Sequence, residues 1–155
     1  MLVLTVTAAA GATLAFAATP ASAATVSTTT LENQVTTLVN QERAKVGCAA
    51  LRTDTRLHNA ALAHSKDMAA TGNFSHTGSD GSTFVTREQA AGYTAPGGGE
   101  NIAWGWRTAT DVMNAWMNSA PHKANILNCS FKAGGVGVAR KTDGTPYWTQ
   151  DFGTV

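Results

Sequence analysis

Gly97-Gly98-Gly99-Glu100-Asn101-Ile102-Ala103-Trp104 is the stretch from which the rest of this chain is best read. Its Glu100 to Trp104 part directly follows a loop, expected over Ala95 to Gly99, that holds Pro96 and the three glycines. Residues without a Cβ let backbone and side chain approach a cleft closely, so Glu100 is placed to be displayed there. Two histidines join it as candidates. His76 and His122 sit in loops or at element edges, where functional side chains are usually presented. Two imidazoles and one carboxylate could bind a divalent metal, zinc or calcium, with one position left open. The same three residues could form an acid–base group without metal. Ser119 and His122 also allow a nucleophile–base reading, with Glu100 as orienter. They are only three residues apart, with Pro121 between them, and no Gly-x-Ser-x-Gly elbow is present. The simpler expectation is that Ser119 ends one helix and helps cap the next.

Outward from this stretch, the pattern is helices first and a hairpin last. Thr29-x-x-Glu32 reads as a capping box, and Leu31, Val35, Leu38 and Val39 form one apolar helical face. Gly47 ends that helix. Asp54 caps a second one, whose stripe is Leu57, Ala60, Ala61, His64 and Met68, closed by Gly72. His64 on that stripe is expected to be buried and hydrogen-bonded, whereas His58, off the stripe, is expected to be solvated. Phe84 to Ala91 could form a short helix. Thr108 or Thr110 caps another through Trp116, and His122 to Leu127 forms a short helical turn. Asp143-Gly144 between two β-prone runs signals a hairpin.

The amino-terminal segment is read as a signal peptide, residues 1–23. Leu2 to Ala18 is apolar, Pro20 breaks any helix, and Ala21-Ser22-Ala23 offers small residues at the cleavage positions. No Lys or Arg precedes the apolar run, so the signal is expected to begin further upstream. A membrane anchor is the alternative, although the run is at the short end of what spans a bilayer. Residues 24–30 are expected to be a flexible leader and 31–155 one domain. The 11 Lys+Arg and 10 Asp+Glu nearly cancel, and no like-charge run appears. Nothing in that pattern suggests a nucleic-acid partner or an anionic membrane surface, and neither is expected. The expected product is secreted, free of the membrane after cleavage, and monomeric. Cys48 and Cys129 permit one pairing, and an exported chain would oxidise it. The closed loop is worth roughly 4 kcal/mol in the loop-entropy model.

Six segments in order resemble the CAP superfamily, the cysteine-rich secretory, antigen 5 and pathogenesis-related-1 proteins, whose domain is also called SCP. They are Val39-Asn40-Gln41-Glu42-Arg43, Leu57 to Met68, Phe74-Ser75-His76, Gly99-Glu100-Asn101-Ile102-Ala103, Trp116 to His122 with Asn125-Ile126-Leu127, and Trp148-Thr149-Gln150-x-Phe152-Gly153. The resemblance implies an α+β fold, a three-layer α/β/α sandwich with a small antiparallel sheet. Its third strand would come from about Asn101 to Trp106. It also implies a cleft lined by two histidines and two acidic residues. His76, Glu100 and His122 match three of these positions, and Ser119 stands where the family carries a glutamate. One carboxylate fewer implies weaker cation binding and weakens transfer of any activity that needs all four. His64 falls where animal and plant members often carry Trp, which supports its packing role. The Cys48–Cys129 pairing resembles that of secreted actinobacterial relatives, and would fix one wall of the cleft beside His122.

The function implied is a secreted binding domain rather than an enzyme, taking a divalent cation or a small ligand, lipid and sterol included. Trp104, Trp106 and Trp116 could wall its cleft. The alternatives are a peptidase-like hydrolase, metal-assisted or general-base, and a module that binds the cell envelope or another protein.

Overall fold

A computed structural model describes residues 25–96 and 98–155. The expected signal peptide, residues 1–23, lies outside the described residues. The elements run α1 (Thr28–Lys45), β1 (Arg52–Thr53), α2 (Thr55–Thr71), α3 (Phe84–Ala90), β2 (Gly98–Trp104), α4 (Ala109–Met117), α5 (Ala120–Ile126), β3 (Ala133–Arg140) and β4 (Pro146–Gly153).

The first helix begins earlier than expected. Ser27 caps it by accepting from the Thr30 amide at 3.1 Å, so the last three residues of the expected leader are already helical. The Thr29-x-x-Glu32 capping box does not form. Glu32 lies on the buried face, and its carboxylate accepts from the Val138 amide of β3 at 2.9 Å. The second helix follows its stripe closely. Asp54 caps it, Gly72 closes it at φ 72°, and Leu57, Ala60, Ala61, His64 and Met68 are buried. His58 corrects the expectation of a solvated ring: it is half-buried, and its Nδ1 donates to the Val136 carbonyl at 2.7 Å.

The sheet order is β1-β3-β4-β2. β3 and β4 form the expected hairpin around Asp143-Gly144, with Arg140 opposite Pro146. β2 is the third strand, antiparallel to β4. The sheet is nevertheless mixed, because the two-residue β1 pairs parallel to β3. So short a segment carries no periodicity for a sequence reading to detect.

Alternation along β3 builds the three layers. Val136 and Val138 face one way, into a core with Val35 and Val39 of α1, Val112, Met113 and Trp116 of α4, Ile126 of α5, and Trp148 and Phe152 of β4. Gly135 and Gly137 face the other way. A Cβ on either would strike the α2 backbone at Leu57–His58 or Ala61–Leu62, so the glycines let α2 lie directly on the sheet. The Ser65 hydroxyl donates to the Gly137 carbonyl at 2.8 Å across that contact.

Two features lock α1 to the segment after α5. Cys48 and Cys129 are joined, as expected, across 81 positions of sequence. Beside them Arg43 is fully buried and donates to the carbonyls of Ala49, Ile126, Asn128 and Phe131 at 2.9–3.0 Å. No helix among the described residues is long and apolar enough to cross a membrane.

Candidate functional site

β2 is one of the sheet's two edge strands, and the candidate residues lie on it or are tied to it. An unpaired edge exposes backbone acceptors that other chains can pair with. Here side chains cover them. Asn125 Nδ2 donates to the Glu100 carbonyl at 3.2 Å, and Trp116 Nε1 donates to the Ile102 carbonyl at 3.1 Å. Asn101, buried on the strand, donates to the His122 carbonyl at 3.2 Å and so docks α5 against it.

Glu100 is buried, and both its oxygens are engaged. His76 Nδ1 donates to Oε1 at 2.7 Å, and Arg87 Nη2 donates to Oε2 at 2.5 Å. Arg87 of α3 also reaches the His76 carbonyl at 3.1 Å, which ties the loop after α2 to the strand. His76 keeps more than half of its side chain exposed. On α5, His122 Nδ1 meets Ser119 Oγ at 2.8 Å. Ser119 occupies the N-cap position, but its hydroxyl turns to the ring instead of to a backbone amide. Burial, then the neighbouring His76, pulls the His122 imidazole below its ordinary pKa.

The structure therefore joins the expected residues in two pairs, His76 with Glu100 and Ser119 with His122. Glu100 makes no bond to His122, so a nucleophile–base–orienter chain is not assembled. Among the described residues, no three His, Cys, Asp or Glu side chains converge as a metal-binding group. The donor set still suits a cation in a narrower way. Both imidazoles have Nδ1 engaged, and among the described residues neither Nε2 takes a hydrogen bond. An imidazole whose second nitrogen is held by a carboxylate or hydroxyl is oriented for a ligand on the first.

Sequence reasoning missed the support behind Glu100. Asp151 of β4 and Glu88 of α3 are buried beside it, with Arg87 the neighbouring cation. Burial first, then Glu100 and Glu88, raises Asp151 well above the usual carboxylate range. Burial, then Glu100, pushes Glu88 up to about 7. His64, the expected packing histidine, is 1% exposed and donates from Nε2 to the Ser75 carbonyl at 2.8 Å. That bond holds the turn that presents His76. The only sequence signals for this group were the charged residues themselves, an Arg-Glu pair on a short helix and an acid in a β-prone run.

A cleft of about 380 Å³ continues from His122 along the end of β2, walled by Phe74, Trp104, Trp106 and Trp116. A larger hollow of about 650 Å³ lies between α1 and the start of α4, away from these residues.

Residues 36–152 match the model of the cysteine-rich secretory protein family, CAP, and the chain belongs to that family. It is 37% identical over 121 residues to the uncharacterized protein YkwD of Bacillus subtilis, a match covering 78% of this chain and 46% of that protein. The fold superposes with a TM-score of 0.74 on an extracellular SCP-domain protein from Bacillus anthracis, at 31% identity over 80% of this chain and 40% of that one. An outer surface protein of Borrelia burgdorferi shares the fold at a TM-score of 0.77 and 22% identity, covering 83% and 96% of the two chains. This chain spans less than half the length of the curated relatives it matches.

Proposed function

We propose that this protein is an exported, non-catalytic CAP-domain binding module, and that His76 and His122 hold a divalent cation or a small polar ligand at the free edge of β2. One observation carries the reading. The two imidazoles are held at Nδ1 by Glu100 at 2.7 Å and Ser119 at 2.8 Å, and among the described residues each Nε2 is left without a hydrogen bond. Glu100 serves as His76's orienting partner, since Arg87 already occupies its other oxygen. Export is supported by the signal-like leader and by the disulfide, which suits an oxidising compartment.

Calorimetric titration with zinc, then calcium, tests this. One zinc site per chain is expected, lost in the His76→Ala/His122→Ala double variant. Glu100→Gln should weaken it by about 10–100-fold, the usual effect of removing a second-sphere partner. A stoichiometry unchanged in the double variant would put the metal elsewhere.

The 2.8 Å contact between Ser119 and His122 favours a second reading, hydrolysis with His122 as base. Such a base is normally oriented by a third group on its other nitrogen. Peptide and ester libraries assayed with and without zinc decide the point. Turnover abolished by Ser119→Ala would support hydrolysis, and no turnover would reject it.

A further inference from the structure

We propose that the aromatic part of this cleft binds a neutral saccharide, its ring stacked on Trp104 and Trp106 and its hydroxyls directed to Ser119 and His122. The inference rests on the reading that this cleft is where the domain meets a ligand.

The four tryptophans divide into two kinds. Trp116 and Trp148 are buried, at 1% and 0% exposure, and donate their indole N–H to the Ile102 and Trp106 carbonyls. Trp104 and Trp106 are 54% and 45% exposed, and Phe74 beside them is 44% exposed. Single exposed aromatics are ordinary, but three lining one cleft mark a binding surface. They are also held in place. Trp104 stacks on Tyr147 and meets Phe74 at a tilt, its ring centroid 6.4 Å from each, and more than half of it stays exposed. The Trp106 backbone is fixed by the Trp148 indole at 2.9 Å. Rigid aromatic faces bind at low ordering cost.

The lining selects among occupants. Among the described residues no Asp, Glu, Lys or Arg lines the cleft, so a charged ligand would lose its hydration without a countercharge. A peptide strand pairing with β2 would have to displace Asn125 and Trp116 from the Glu100 and Ile102 carbonyls. The cleft is open along one side, so an acyl chain or sterol would leave much of its surface in water. A sugar ring has the opposite needs. One C–H face stacks on an indole, while the hydroxyl edge stays wet or reaches a hydroxyl and an imidazole. The volume of about 380 Å³ lies within the usual range of small-molecule sites.

Intrinsic tryptophan fluorescence of the purified protein, titrated with cellotetraose, maltotetraose and N-acetylglucosamine tetramer, is the test. Saturable change with at least one sugar is expected. Trp104→Ala and Trp106→Ala should each weaken it about tenfold, the loss of one stacking face. Trp104→Phe, which keeps a stacking ring, should stay close to wild type, and circular dichroism checks that each variant is folded. No response to any of the three sugars at millimolar concentration overturns the inference. So does affinity unchanged in both alanine variants, or binding of decanoate or phosphatidylcholine vesicles with no sugar response. Zinc calorimetry on the same variants keeps the two readings apart. Sugar failure with zinc binding intact overturns this inference alone, and zinc failure with sugar binding intact overturns the cation reading alone.

Discussion

Glu100 on β2 and Asp151 on β4 are direct partners in the sheet register, and both side chains are buried. With Glu88 they place three carboxylates around one guanidinium, that of Arg87. Burial and mutual repulsion raise Asp151 above its usual range and Glu88 from 4.5 to about 7. A raised acid holds a proton when folded that it releases when unfolded. Its stabilisation is complete below the unfolded value and is lost as pH rises through the folded one. The stability of Glu88→Gln relative to wild type should therefore climb between about pH 4.5 and 7. Asp151→Asn should show the same sign. His64 and His122, whose values are lowered mainly by burial, act oppositely as pH falls, but equally in wild type and variants. The difference between urea curves is thus the readout, and a difference flat with pH would contradict the assignment.

Arg43 should be among the costliest side chains to replace. Its guanidinium satisfies four carbonyls at the junction of α1, α5 and β3. Arg43→Met leaves those acceptors bare in the interior, and should cost at least about 3 kcal/mol in urea denaturation. Arg43→Lys keeps the charge but not the planar fork, so it should also destabilise the domain. A lysine variant as stable as wild type would contradict this role.

The Cys48–Cys129 link spans 81 positions. Its removal by Cys48→Ala/Cys129→Ala should cost roughly 4 kcal/mol, and reductant should lower the urea midpoint of wild type to a similar degree. A midpoint insensitive to both would show that Arg43 and the core hold this junction unaided.

Two glycines of β3 should behave very differently. Gly137→Ala drives a methyl into the α2 backbone at Ala61 and Leu62, which cannot yield without moving the helix. Gly134→Ala meets the Leu51 side chain at 3.2 Å, which can rotate. The first should cost at least about 1–3 kcal/mol, the overpacking range, and the second distinctly less. Thermal melts that rank them the other way would mean α2 is not seated as described.

Ser119 offers a gain-of-function prediction. Ser119→Glu restores the carboxylate that the wider family carries beside the second histidine. It should tighten zinc binding by about tenfold or more, since an added anionic ligand is a strong term in a partly desolvated site. Ser119→Ala should weaken it. Calorimetry showing no change in either would remove Ser119 from the site.

Much of the architecture is legible in the residues because it is local. The stripe Leu57, Ala60, Ala61, His64, Met68 needs only helical periodicity to be read. Asp54, Gly72 and Asp143-Gly144 are capping and turn signals that act within a few residues. The third strand is expected only from the family resemblance, at about Asn101 to Trp106; it forms at Gly98–Trp104, and its own pattern hides it because most of its residues are buried. Glu32 shows where local reading fails. Its spacing from Thr29 fits a capping box, but a β3 amide left open beyond the short β1 competes for the carboxylate and wins.

The candidate site divides the same way. By itself the amino-acid sequence determined which side chains could carry chemistry, His76, Glu100, Ser119 and His122, and that Cys48 and Cys129 could close the chain on itself. Only the tertiary structure decided how they combine. The pairing of Glu100 with His76, and of Ser119 with His122, depends on β2 lying at the sheet edge with α5 docked against it through Asn101. The cluster of Glu88, Asp151 and Arg87 behind Glu100 depends on β4 and α3 meeting across distances no motif spans. Periodicity and capping act over a few residues, whereas burial, shared protons and competition for a carboxylate arise only once distant segments occupy the same space.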